Sequence, residues 1–96
     1  MSKAELLEAW HAHLTQGLRR SPHTVRAYVS AAGRLIDARE LEGWESIARL
    51  GTKDLRTQLA LRRAEGLANT SAARELSALK AFLKFARQQV GDPDAS

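Results

Sequence analysis

The side chains with the strongest claim to acid–base, metal or nucleophilic chemistry are three histidines, His11, His13 and His23, and a single tyrosine, Tyr28. Two residues apart on a helix, His11 and His13 point away from one another and cannot readily share a metal, so both read as surface side chains. Tyr28 falls on an apolar stripe, where a core residue with its hydroxyl at the edge fits better than a nucleophile. Cysteine is absent, which removes disulfides and thiolate metal sites and fits a reducing cytoplasm. There is no glycine-rich phosphate loop, no nucleophile elbow and no carboxylate pair placed for acid–base work. The sequence therefore predicts no catalytic residue, no metal site, no cofactor and no small-molecule ligand.

What remains is charge and its placement. Fifteen Lys and Arg against eleven Asp and Glu give a net charge of +4, a modest excess that only hints at a polyanionic partner. Distribution says more. Residues 18–40 hold Arg19, Arg20, Arg26, Arg34 and Arg39 against Asp37 and Glu40, and residues 68–90 hold Arg74, Lys80, Lys84 and Arg87 against Glu75. On the first of these segments His23, Arg26, Ser30 and Arg34 share one helical face. On the second, Thr70, Arg74, Ser77, Ala81 and Lys84 do the same. Cations, short hydroxyls and small residues together suit close approach to a phosphate backbone: the cations neutralise charge, the hydroxyls bond phosphate oxygens, and the small residues let the helix sink in. The same stripes also fit an ordinary solvated face, and on pattern alone both readings stand.

The elements that would position these stripes are helical. Ser2 and Glu5 form a capping-box pattern, followed by Leu7, Trp10 and Leu14 at helical spacing and by Gly17 as a stop. A second helix has Ser21 as N-cap and Pro22 at its first position. It carries Val25, Tyr28, Val29, Ala32, Leu35 and Ile36 on its apolar stripe and runs to about Glu40. Residues 41–51 show no clean period and read as a connector packed by Trp44 and Leu50. A third helix is predicted from Thr52 as N-cap, through Leu55 and Leu59, to Gly66. A fourth is capped near Asn69 or Thr70, with Ala72, Leu76, Leu79, Leu83, Ala86 and Val90 on one face and Phe82 beside them. No segment alternates apolar and polar residues as a half-buried strand would. The expected fold is all-α, a compact four-helix bundle over residues 1–90, with 91–96 as the start of a linker. With 44 % apolar residues and no run of membrane-span length or secretory leader, a cytoplasmic protein without membrane contact is expected.

The stretch Leu18-Arg19-Arg20-Ser21-Pro22-His23-Thr24-Val25-Arg26-Ala27-Tyr28 closely resembles the "LSPHTxxxY" signature of Xer-type tyrosine recombinases. Ala73-Arg74-Glu75-Leu76-Ser77-Ala78-Leu79-Lys80-Ala81-Phe82 resembles that family's "RRLSALRxF" stretch, and Glu65-Gly66-Leu67-Ala68 looks like the turn before it. The resemblance spans roughly Leu6 to Val90. It implies a core-binding domain with a SAM-like orthogonal arrangement, one half of a C-shaped clamp around double-stranded DNA, working with other recombinase subunits in a tetramer. In that family a following catalytic domain supplies an Arg/Lys/His/Arg cluster and the tyrosine that forms a 3′-phosphotyrosine link. None of these has a counterpart here, and Tyr28 belongs to the N-terminal motif.

Carried over position by position, the DNA-facing set is Ser21, His23, Thr24, Arg26, Ala27 and Ser30 on the second helix, with Asn69, Thr70, Arg74 and Ser77 on the last. Arg26 and Arg74 are expected at phosphate or the major groove, and Ser21 and Thr24 at phosphates, Ser21 doubling as helix cap. Glu75 and Lys80 depart from the family, which often has Arg there. Glu75 is expected to lower affinity by placing a negative charge near this surface. A parent protein that resolves chromosome dimers is the expectation. A helical protein-interaction module and a stand-alone regulator are the alternatives.

Overall fold

The computed structural model describes residues 1–91. The chain runs through α1 (Lys3–Ala12), a single π turn (His13–Gly17), α2 (Pro22–Arg39), α3 (Trp44–Ala48), α4 (Thr52–Ala64) and α5 (Asn69–Gln89), with no strand among the described residues. The all-α expectation holds, with five helices where four were expected. Of the expected linker, only Gly91 lies within the described residues.

Local chemistry sets the helix ends. The Ser2 hydroxyl accepts the Glu5 N–H at 3.1 Å, and the Glu5 carboxylate accepts the Ser2 N–H at 3.0 Å. The Ser2 backbone N–H, and after it the Ser2 hydroxyl, hold the Glu5 carboxyl below its ordinary pKa. Ser21 caps α2 through the Thr24 N–H at 3.3 Å, with Pro22 at the first helical position. α2 stops at Glu40, whose φ of +50° is left-handed and costs a side-chain-bearing residue about 1–2 kcal/mol. Gly66, at φ +102°, makes the turn between α4 and α5 without that cost.

Two expected caps are corrected. Gly51, not Thr52, is the N-cap of α4, and the Asp54 carboxylate accepts its N–H at 2.9 Å. Ala68 precedes α5, which has no side-chain cap, so Asn69 and Thr70 lie inside the first turn.

The expected connector contains α3. Five residues are too few to form a helix alone, and tertiary contacts explain why this one exists. Ser46 Oγ accepts the Glu42 and Gly43 N–H groups at its start, and Arg87 of α5 donates to the Ala48 and Leu50 carbonyls at its end. Ile47 and Leu50 are buried, and Trp44 packs edge-on to Phe82 and Phe85.

α5 is the hub. Its inner face carries Leu79, Phe82, Leu83 and Ala86, which pack against Leu6 and Trp10 of α1, Leu35 and Ile36 of α2, and Leu55 of α4. Full burial of side chains this size contributes about 1.5–3 kcal/mol each. Val90, expected on the apolar face, is exposed. The expected surface role of His13 is also corrected: its ring stacks on Phe85 at 4.5 Å and on Trp10 at 5.7 Å between centroids. The π turn produces this by widening the last turn of α1, closed by Leu18 N–H to His13 carbonyl at 2.9 Å. Burial then pushes the His13 pKa down. His11 is exposed, as expected.

Candidate nucleic-acid interface

α2 and α5 pack along their apolar faces and diverge on their outer sides, opening a cleft of about 790 Å³. From α2 it is lined by His23, Thr24, Ala27, Ser30 and Arg34, from α5 by Ser71, Arg74, Glu75 and Ser77, and from α4 by Arg62, with Arg20 at the mouth. Six of the ten residues carried over from the family resemblance therefore meet in one place: His23, Thr24, Ala27, Ser30, Arg74 and Ser77.

The other four stand apart. Arg26 is one step, about 100°, around α2 from Ala27 and lies on an exposed flank outside the cleft. Ser21 is engaged as the cap of α2, and its hydroxyl also donates to Thr24 Oγ1 at 3.1 Å. Asn69 and Thr70 are exposed on the first turn of α5, beyond the lining.

Glu75 is not a surface charge. Its side chain is 5 % exposed, with Oε1 2.6 Å from Arg34 Nη2 and Oε2 3.2 Å from Arg62 Nε. A buried carboxylate persists only when paired, and here two guanidiniums pair it. The negative charge expected near the surface lies beneath it instead, between two guanidiniums, and the trio carries a net positive charge. Arg34, placed by spacing on the open stripe, is half committed to this contact, and its Nε is buried without a partner. An unmet donor of that kind costs about 1–3 kcal/mol.

Arg62 and Arg20 were missed by sequence reasoning. Arg62 was legible in principle, since it lies seven residues after Leu55 and three after Leu59, on the same inward face of α4. A tally along the chain hid it, because residues 41–67 average the cations of α4 with Glu42, Glu45 and Glu65. Among the described residues, Arg20, Arg26 and Arg74 form no ion pair, so these cations face solvent uncommitted.

The helix ends add to this field. α1, α3 and α4 each carry an acid in the first turn, whereas α2 and α5 carry none. The positive ends of α2 and α5 are thus left uncompensated on the elements that form the cleft. The described residues hold no cluster of potential metal ligands, and none of their helices is long and apolar enough to cross a membrane.

The model for the phage integrase N-terminal SAM-like domain matches residues 7–90. Tyrosine recombinase XerC of Mycobacterium leprae (strain TN) is 37 % identical over 94 residues, which cover 94 % of this chain and 31 % of the relative. Tyrosine recombinase XerC of Methylobacterium sp. (strain 4-46) is 32 % identical over 89 residues, 88 % of this chain and 28 % of the relative. The chain thus spans about a third of the length of these curated relatives, and no solved structure matches it. A family match from the second turn of α1 to the end of α5, over the helices that frame the cleft, makes this chain a member of the phage integrase N-terminal SAM-like domain family.

Proposed function

We propose that this chain is the non-catalytic DNA-gripping domain of a tyrosine recombinase. It would hold duplex DNA at the recombination core site while a separate catalytic domain cuts and rejoins the strands. The observation that carries this reading is the cleft itself, which four arginines and several short hydroxyls line together, from three helices and the turn before α2. Four guanidiniums against one buried carboxylate suit a phosphate backbone, which is recognised by charge and hydroxyl donors and needs no base-specific group. Arg26, outside the cleft, would reach a neighbouring phosphate along the flank of α2.

In this proposal residues 1–90 form the DNA-binding unit and 91–96 begin the linker to the catalytic domain. The other partners are further recombinase subunits, and the setting is the bacterial cytoplasm and its nucleoid. Both relatives carry the XerC name, so resolution of chromosome dimers is the proposed role of the parent protein.

The test is duplex binding across a salt series. Each neutralised phosphate contributes a log–log slope of about −0.9, so several contacts give a slope of several units. Binding that is insensitive to salt, or unaltered in an Arg26→Ala plus Arg74→Ala variant, would refute the proposal.

A further inference from the structure

Glu75 is a buried acid at the centre of a cationic cleft, on a chain proposed to bind a polyanion. Its geometry separates two roles. An acid that competes with the ligand for arginines would sit at the mouth, where a phosphate arrives. Glu75 instead lies beneath, 5 % exposed, while the guanidiniums above it remain partly open, Arg34 at 37 % and Arg62 at 21 %. Each residue of the trio comes from a different helix, Arg34 from α2, Arg62 from α4 and Glu75 from α5.

Without the carboxylate the two like charges would repel and their long side chains would spread over many rotamers. With it, each guanidinium is held through one nitrogen, Arg34 by Nη2 and Arg62 by Nε, which leaves Nη1 of Arg34 and Nη2 of Arg62 to donate to a ligand. Arg62 is further restrained by Glu65 at 3.6 Å.

We infer that Glu75 is a positioning residue for DNA-backbone recognition, holding Arg34 and Arg62 side by side as one preorganised two-guanidinium seat for a phosphate group. The inference rests on the DNA-binding reading and adds α4 to the elements that touch the backbone.

Glu75→Gln keeps the shape and raises the net charge by one, so a charge-only account predicts tighter duplex binding with a steeper salt slope. The positioning account predicts the reverse, roughly tenfold weaker binding, the loss of an oriented charge-assisted contact. Should Glu75→Gln fail to fold by circular dichroism, the double variant Arg34→Gln plus Glu75→Gln decides. It carries the wild-type net charge and removes the buried carboxylate, and amides of similar size can bond one another in place of the ion pair. Positioning then predicts weaker binding and a slope shallower by about 0.9. Wild-type affinity and slope in this double variant, or tighter binding in Glu75→Gln, overturns the inference. Wild-type chain that fails to bind duplex, or binds it without salt dependence, overturns the DNA-binding reading itself. Duplex binding that weakens in the Arg26→Ala plus Arg74→Ala variant but not in the Glu75 variants overturns the positioning role alone.

Discussion

Arg87 reaches out of α5 to donate its Nη2 to the Leu50 carbonyl at 2.7 Å, with Nε on the Ala48 carbonyl at 3.3 Å. One side chain thus supplies the C-terminal partners that a five-residue helix cannot supply for itself. Arg87→Ala should leave two half-buried carbonyls short of a donor and destabilise the fold by about 1–3 kcal/mol. The loss should concentrate in α3, read as faster amide exchange at Ile47–Leu50 than in α5. Uniform exchange across both helices would contradict this.

Phe82 anchors the aromatic cluster, fully buried, with its ring 5.3 Å from Trp10 and 6.0 Å from Trp44. Phe82→Ala removes a ring that three elements share and should cost about 3–5 kcal/mol, measured by urea unfolding. In a domain this small that approaches the whole stability, so the variant should be largely unfolded near 37 °C.

The stacked His13 predicts a pH dependence. Burial favours its neutral form, so the folded-state pKa lies below the ordinary 6.5 while the unfolded chain titrates near 6.5. The unfolded state therefore takes up a proton first as pH falls. The stability that His13 contributes is complete above about pH 6.5 and is lost progressively below it, until the folded form also protonates. Thermal melts between pH 7.5 and 5 should show a decline that His13→Phe reduces. An equal decline in that variant would place its origin elsewhere.

Ser21 is engaged as a helix cap and is proposed to meet phosphate, and the two roles respond differently to substitution. Ser21→Ala should lower stability by about 1 kcal/mol, and Ser21→Gly by only a few tenths. Duplex affinity should fall in both, because both lose the hydroxyl. If affinity tracks stability across the pair, Ser21 acts through the cap alone.

Arg74 lines the cleft and Arg26 does not, although both follow the same spacing rule in the sequence. Arg74→Ala should weaken duplex binding about equally for all sequences and lower the salt slope by about 0.9, as loss of one phosphate contact requires. A sequence-dependent loss would instead mark a base contact.

The readings that survived concern features decided within one helix. Ser2 with Glu5, Ser21 with Pro22, and Gly66 all fix helix ends through neighbours three or four residues away, so their chemistry is visible in the chain. The caps of α4 and α5 were misplaced by a residue or two, and the larger failures depend on another element. Helix α3 exists because Arg87, nearly forty residues on, meets its end. His13 is half-buried because a π turn rotates it onto Phe85, and periodicity at 3.6 residues cannot register that turn. The two polar stripes were legible by spacing and by family motif, and the structure brings most of their residues to one cleft. Neither route could reveal that Glu75 sits under two arginines, since that trio draws its members from three helices.

The Glu75 trio also constrains how this domain can diverge. A neutral change at any one of positions 34, 62 and 75 alters the charge balance around a buried carboxylate, and reversal at position 75 would set three cations together. Relatives with a basic residue at the position of Glu75 should therefore have exchanged at least one of the two arginines as well. Drift at these positions is expected to be joint, so the interior of the cleft should be inherited as a set while its rim varies freely.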